Sequence, residues 1–201
     1  MENVENIVSL LEEKFGAQRD ASAKWDACVV VAKENLHAVV EFLKNDCAVK
    51  FDMLLDAAGI DYLTYPNHEG PRFAVSYAFK SMETAGARIR LKVLVSEADL
   101  KVPSVADLYA SANWLEREVY DQFGILFEGH PDLRRILNHV EFVGHPLRKD
   151  YPAHKRQWLS TSDYLVPELE KVLESKGYKV IERSEEVDPV DEEFLEGSIK
   201  A

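Results

Sequence analysis

Residues 88–95 read RIRLKVLV, and residues 72–79 read RFAVSYAF. Both stretches alternate apolar residues along one face, which is typical of a β-strand whose other face is more exposed. The connection 80–87 contains Gly86, so the two stretches are predicted to form an antiparallel hairpin. The predicted inward side chains are Phe73, Val75, Tyr77, Phe79, Ile89, Leu91, Val93 and Val95, and the predicted outward ones are Arg88, Arg90 and Lys92.

Helices and further strands flank this hairpin. Residues 3–15 and 36–43 have apolar residues at helical spacing, and a valine-rich strand is predicted over 25–32. Another strand is predicted from Phe51, with a break at Gly59. Helices followed by paired strands, without a βαβ repeat, predict an α+β fold with helices packed on a mixed or antiparallel sheet. The predicted buried stripe of the first helix consists of Ile7, Leu10, Leu11 and Phe15.

The chain changes character after Pro103. A helix is predicted through 114–121, ended by Gly124, and residues 128–153 read as an ordered loop rich in glycine, proline, histidine and arginine. A helix is predicted over 162–176, and an acidic tail follows it. We therefore divide the chain into an α+β core domain (1–103), a signature helix with an extended docking arm (104–156) and a C-terminal extension (157–201).

Composition and charge exclude several classes of function. The net charge of −12 argues against a nucleic-acid or anionic-membrane surface. The apolar runs fall well short of the roughly twenty residues that cross a bilayer, and the acidic N-terminus does not resemble a signal peptide, so a cytoplasm-like compartment is expected. Cys28 and Cys47 match no metal-binding spacing and are expected to be core thiols.

The most informative stretch is 114–152, WLEREVYDQFGILFEGHPDLRRILNHVEFVGHPLRKDYP. Arg117 and Asp121 lie four residues apart on the predicted helix and could form an ion pair. Together with Glu116 and Glu118, Asp121 could also form a carboxylate cluster for acid–base chemistry or metal binding. Acid–base chemistry of the glycosidase kind needs two facing carboxylates in a saccharide cleft, and nothing in the sequence indicates such a cleft.

Four histidines follow within the same region, at His130, His139, His145 and His154. They could ligate zinc or iron, which would suit a stand-alone metal-dependent hydrolase. Their spacings match no short chelating pair, however, and two of them precede prolines, which favours histidines that fix rigid turns.

The region 112–156 holds seven acidic and seven basic residues, as a surface that pairs charges with a partner would. Its basic side chains could pair with carboxylates of a partner or grip a phosphate, but no glycine-rich phosphate loop precedes a helix. The prolines around them stiffen the backbone, so less entropy is lost on docking. The basic residues in question are Arg134, Arg135, Arg148 and Lys149.

The stretch 114–152 resembles the signature of the 30 kDa (C-type) subunit family of respiratory complex I, the proton-pumping NADH:quinone oxidoreductase, and the resemblance covers roughly residues 3–153. It implies a compact α+β domain followed by a docking arm, in a non-catalytic subunit of the peripheral arm. The family's members lie beside the large D-type subunit, whose homologues are nickel–iron hydrogenase subunits, and near the B-type and I-type subunits. The resemblance implies no cofactor in this chain, because other subunits supply the NADH, FMN, iron–sulfur cluster and quinone sites. The candidate partner-interface residues are Glu116, Arg117, Glu118, Asp121, His130, Arg134, Arg135, His145, Arg148, Lys149 and Asp150.

The resemblance also implies a location. A subunit of this complex is expected at the cytoplasmic side of the cell membrane, held there by its partners. Two alternatives stay open: the histidine-dependent hydrolase, and the same scaffold in a related complex with another electron donor. The first alternative predicts stoichiometric bound metal, whereas the scaffold predicts none.

Overall fold

A five-stranded sheet forms the centre of the computed structural model, which describes residues 2–21, 23, 26–84, 86–155, 157 and 162–178. In chain order, the elements are α1 (Glu2–Phe15), β1 (Gln18–Arg19), β2 (Ala27–Val31), a 3-10 turn (Lys33–Asn35), α2 (Leu36–Asn45), β3 (Met53–Asp61), β4 (Phe73–Lys80), β5 (Arg88–Val95), β6 (Lys101–Pro103), α3 (Ala112–Phe123), β7 (Leu126–Glu128) and α4 (Ser162–Ser175). Helices and a mixed sheet confirm the predicted α+β class.

The hairpin predicted from the alternating stretches is present as β4 and β5. The two strands pair antiparallel, with Tyr77 opposite Leu91. The sheet order is β1-β2-β5-β4-β3, in which only the β2–β5 pair is parallel. Ile89, Leu91, Val93 and Val95 are buried and Arg88 and Arg90 are exposed, as predicted. Lys92 lies on the predicted outer face but is partly buried, because it pairs with Asp20.

Helix α1 packs against β2, but its buried stripe differs from the predicted one. Ile7, Val8 and Leu11 are buried, whereas Leu10 has 46% of its surface exposed. Residues four apart lie nearly above one another on a helix, so Leu11 follows Ile7 on the inner face and Leu10 is turned away. The prediction that Leu10 is buried was wrong.

Strand β3 runs without a break through Gly59, contrary to the sequence prediction. The position lies beneath the ring of Phe123 on α3, and a Cβ on residue 59 would lie 2.4 Å from Phe123 Cδ2. Glycine is therefore required here for the close approach of helix and strand, and not for a turn.

Residues on both sides of Pro103 belong to one apolar core. Val105, Val119 and Phe127 are buried in the same cluster as the strands of the sheet, and β6 pairs parallel with β7 across the predicted boundary. A domain boundary at residue 103 therefore does not separate two cores. Helix α4 confirms the helix predicted over 162–176, and the acidic tail lies outside the described residues.

Candidate docking arm

Residues 129–155, which we call the arm, contain turns and bends but neither helix nor strand. The arm follows α3 and β7. Gly124 ends α3 in the left-handed conformation, with φ 75°, as predicted. A Cβ there would lie 2.5 Å from both Arg148 Nη2 and His145 Nε2, so the glycine also lets the arm return across the helix end.

The carboxylate of Asp121 holds the first half of the arm. Its Oδ2 accepts the backbone N–H groups of Ile136, Leu137 and Asn138 at 3.1, 2.8 and 2.8 Å. Its Oδ1 accepts Arg135 Nη1 at 2.7 Å and Asn138 Nδ2 at 3.0 Å. Burial alone would raise the pKa of Asp121, but these hydrogen bonds outweigh it and lower the pKa to about 2. An ionised carboxylate on α3 therefore organises this turn.

A second buried carboxylate, Asp61 at the end of β3, holds the far end of the arm. Its Oδ2 accepts the backbone N–H of Lys149 at 2.8 Å and Arg72 Nη2 at 3.1 Å. Arg72 also pairs with Asp150 at 2.8 Å, which joins sheet and arm a second time. Burial opposes ionisation, yet the bonds from Arg72 and Lys149 lower the pKa of Asp61. Sequence reasoning missed Asp61 and Arg72, because 88 residues separate Asp61 from Lys149.

His130, His139 and His145 fix turns, as predicted. His130 Nε2 lies 3.0 Å from the carbonyl oxygen of Asn113, and its Nδ1 accepts the N–H of Asp132 at 3.0 Å. His145 Nδ1 lies 3.0 Å from the carbonyl oxygen of Asp121, and burial lowers the pKa of His145. In the described part of the chain, no three His, Cys, Asp or Glu side chains come together as a metal site.

Arginine side chains of α3 and the arm donate hydrogen bonds to backbone carbonyl oxygens within the chain. Arg117 donates to the carbonyl oxygens of Arg134 and Arg135 at 3.0 and 3.2 Å, so the predicted Arg117–Asp121 pair is wrong. Arg148 donates to the carbonyl oxygen of Phe123 at 2.6 Å and lies over the Phe73 ring. These contacts are internal, and the partner interface predicted for Arg135 and Arg148 stays a prediction.

Glu116 is buried beneath the connection between β6 and α3. Its Oε2 accepts Ser104 Oγ at 2.6 Å, and its Oε1 accepts the N–H of Val105 at 2.8 Å. Burial raises the pKa of Glu116 to about 7, and the two hydrogen bonds only partly oppose this. Glu116 and Asp121 are both fully buried, so the prediction that these two side chains contact a partner is wrong.

The remaining predicted interface residues differ in accessibility. Glu118, Arg134, Lys149 and Asp150 are exposed, whereas Arg117, His130, Arg135, His145 and Arg148 are partly buried. The partner interface predicted for all of these residues stays a prediction.

Sequence reasoning also missed several exposed apolar side chains on α3 and the arm. Trp114 is 62% exposed, Leu137 65%, Val140 83% and Leu147 48%. Leu137 belongs to the turn that Asp121 holds, so its exposed apolar side chain lies on a fixed backbone. Apolar side chains that are exposed on a fixed backbone are available for contact with another protein. None of the described helices is both long and apolar enough to span a membrane.

Residues 29–157 match the family model described as respiratory-chain NADH dehydrogenase, 30 kDa subunit. The C-type subunit of the NADH-quinone oxidoreductase of Acidithiobacillus ferrooxidans is 43% identical over 153 residues, which are 74% of this chain and 75% of that one. The C-type subunit of the same enzyme from Trichlorobacter lovleyi is 46% identical over 154 residues, which are 76% of this chain and 91% of that one.

Two solved structures share the fold. The trypsin-resistant fragment of Nqo5 is 37% identical, with a TM-score of 0.55 over 65% of this chain and 99% of the fragment. A chain of the membrane-bound sulfane sulfur reductase, an archaeal respiratory membrane complex, has a TM-score of 0.61 over 94% of this chain and 100% of that one; at 21% identity it shows the fold alone. Since the family model spans more than half of the chain, the chain belongs to the family of the 30 kDa subunit of the respiratory-chain NADH dehydrogenase.

Proposed function

We propose that this chain is a structural and assembly subunit of the peripheral arm of a proton-translocating NADH:quinone oxidoreductase. Its family makes it a subunit of that enzyme complex, with other complex I subunits as partners. The proposal goes further: the chain is non-catalytic, docks beside the large D-type subunit near the B-type and I-type subunits, and supports electron transfer to quinone by keeping those subunits in place.

The arm carries this proposal. Two ionised carboxylates, Asp121 and Asp61, hold its backbone at both ends, so little entropy is lost when a partner binds it. Leu137 and Val140 present apolar surface on that backbone. A pre-organised backbone with outward apolar side chains suits binding to another protein better than catalysis, which requires converging polar groups.

The proposal includes the absence of a cofactor of its own. Three of the four histidines that could have bound a metal, His130, His139 and His145, instead form hydrogen bonds with backbone groups. NADH, FMN, the iron–sulfur clusters and quinone would bind other subunits. Elemental analysis of the purified chain tests this, because about one transition metal per chain would contradict it.

Location follows from the same proposal. The chain lies at the cytoplasmic side of the cell membrane as a peripheral component, and its partner subunits hold it there.

Replacing Leu137 and Val140 together by serine tests the docking role. Both side chains are exposed, so the isolated chain should keep its melting temperature, while the amount of assembled complex recovered on a native gel should fall. The quinone reductase activity of the membranes should fall in proportion to the amount of assembled complex.

The matched control is Leu10→Ser, because Leu10 is an exposed leucine on α1, away from the arm in sequence. It should leave assembly unchanged. Full assembly of the Leu137/Val140 variant would contradict docking through the arm. Full assembly with loss of electron transfer would instead indicate a catalytic role for the arm.

A further inference from the structure

A groove lies between the edge strand β3, helix α3 and the arm. Its volume is about 210 Å³, and its walls include Asp56 from the strand, Glu118 and Gln122 from the helix and Leu147 from the arm. Sites for cofactors and small ligands usually measure about 300–1,000 Å³, so this groove suits one long side chain better.

The polar groups in the groove lack partners among the described residues. Asp56 and Glu118 are exposed carboxylates, and neither forms an ion pair or a side-chain hydrogen bond within the described part of the chain. Gln122 is only 7% exposed, yet its side-chain amide makes no hydrogen bond to any described residue. The nitrogen and oxygen atoms of this amide are not fully enclosed, so they can form hydrogen bonds with a group that enters the groove.

The apolar part of the groove is formed by Val119, Phe123 and Leu147. Val119 and Phe123 are buried in the core, so this wall is firmly held. The groove thus combines an apolar wall with two negative charges and a hydrogen-bonding amide. An aliphatic stem that ends in a cation matches this arrangement, since such side chains cover apolar surface while their charged end meets polar groups.

We infer that this groove receives an arginine side chain from a partner protein. A guanidinium group offers five N–H donors in a planar fork, enough to serve two carboxylates and the Gln122 carbonyl oxygen together. A lysine ammonium has three donors and no fork, so it fits less well. The inference rests on the proposed function, because it supplies a second contact for a subunit already held through its arm.

The double variant Asp56→Asn with Glu118→Gln tests the inference in the assembled complex. It removes both charges with little change in shape, so the chain should fold while recovery of the complex on a native gel falls about tenfold or more. The matched control is Glu69→Gln, because Glu69 is an exposed carboxylate with no ion pair among the described residues. If the melting temperature of the double variant is lower than that of the control, the single variant Glu118→Gln is tested in place of the double variant.

A photo-reactive amino acid at Ala58, an exposed position beside the groove, gives a second measurement in the intact complex. The expected cross-linked peptide comes from another subunit and contains an arginine. Normal assembly of the charge variant, or a cross-linked peptide without arginine, would overturn the inference. The proposed function would survive that result if the Leu137/Val140 variant still failed to assemble, so the two failures are distinguishable.

Discussion

Glu116 is a fully buried carboxylate whose hydrogen-bond donors are both neutral, Ser104 and Val105. The nearby Asp107 disfavours its ionised form further. Beside it lies the buried Tyr77, whose hydroxyl has no hydrogen-bond partner among the described residues and whose pKa burial raises well above its ordinary value. This part of the core is therefore poorly suited to a negative charge, which makes its stability depend on pH.

We expect Glu116→Gln to stabilise the isolated chain at neutral pH and to flatten its pH dependence. The folded pKa of about 7 lies above the ordinary value of 4.5, so the contribution of Glu116 to stability is complete below pH 4.5 and is lost as pH rises through 7. The loss amounts to about 3 kcal/mol. Glutamine does not titrate, and it can still accept from Val105 while donating to Ser104.

Urea unfolding of both proteins between pH 5 and 8 measures this effect. Glu118→Gln, on the exposed side of the same helix, serves as the control and should change the pH profile little. If the free energies of unfolding of Glu116→Gln and of the unmodified chain differed by a constant amount over that range, Glu116 would already be ionised in the folded state.

Arg135 gives a second prediction at the scale of the residue. Arg135→Ala should lower the free energy of unfolding of the isolated chain by about 2 kcal/mol, because Asp121 stays buried and loses a charged donor. Arg134→Ala should leave stability unchanged, since Arg134 is exposed and, among the described residues, its side chain pairs only with Asp132. Chemical denaturation of the two variants side by side is the measurement, and equal stabilities would contradict an internal role for Arg135.

The packing of α3 on β3 is the contact between elements on which the position of the arm depends. Helix α3 carries Asp121, and the end of β3 carries Asp61, so both carboxylates are placed by this contact. Gly59 makes it possible, because the ring of Phe123 occupies the space that a Cβ would need.

We expect Gly59→Ala to destabilise the chain by about 1–3 kcal/mol, as overpacking in a core usually does. Gly59→Ala combined with Phe123→Leu should cost less than the two single changes added together, because the smaller side chain relieves the overlap. Urea unfolding of the two single variants and the double variant measures the coupling. Strict additivity would show that the strand moves away from the helix instead.

At this scale, regular patterns were predictable and contacts between elements were not. The alternation in β4 and β5 and the glycine that ends α3 are local signals, and both predictions are confirmed. Gly59 looked like a strand break because the pattern of one strand does not show which helix packs on it. Leu10 was misplaced for a related reason, since the apolar stripe of one helix does not show how much of its width the rest of the fold covers.

At the scale of the whole molecule, the arm was predictable as a stiff segment but its attachment was not. The prolines, glycines and histidines indicate turns, and the structure places histidines in them. The two carboxylates that hold the arm are far apart in sequence, and Asp61 lies in the sheet. Spacing could not reveal that Asp121 and Asp61 hold opposite ends of one segment, so the predicted interface included Asp121, which is buried.

Two attachments on one segment should behave cooperatively, which gives the last prediction. If Asp121→Asn loosens one end of the arm, the other end must close a longer flexible loop to stay bound at Asp61, and its contact weakens. The double variant Asp121→Asn with Asp61→Asn should therefore lose less stability than the two single losses added together. The control is Asp132→Asn, because Asp132 is an arm carboxylate that forms its ion pair with the exposed Arg134.

Hydrogen exchange gives the sharper measurement, because it reports on each end of the arm separately. In the unmodified chain the amides of Ile136, Leu137, Asn138 and Lys149 should exchange slowly, since each donates to a buried carboxylate. Asp121→Asn should speed exchange at Lys149 as well as at 136–138, while the amides of β4 and β5 stay protected. If Lys149 kept its protection in that variant, the two ends of the arm would be independent, and docking through a single pre-organised arm would lose its structural basis.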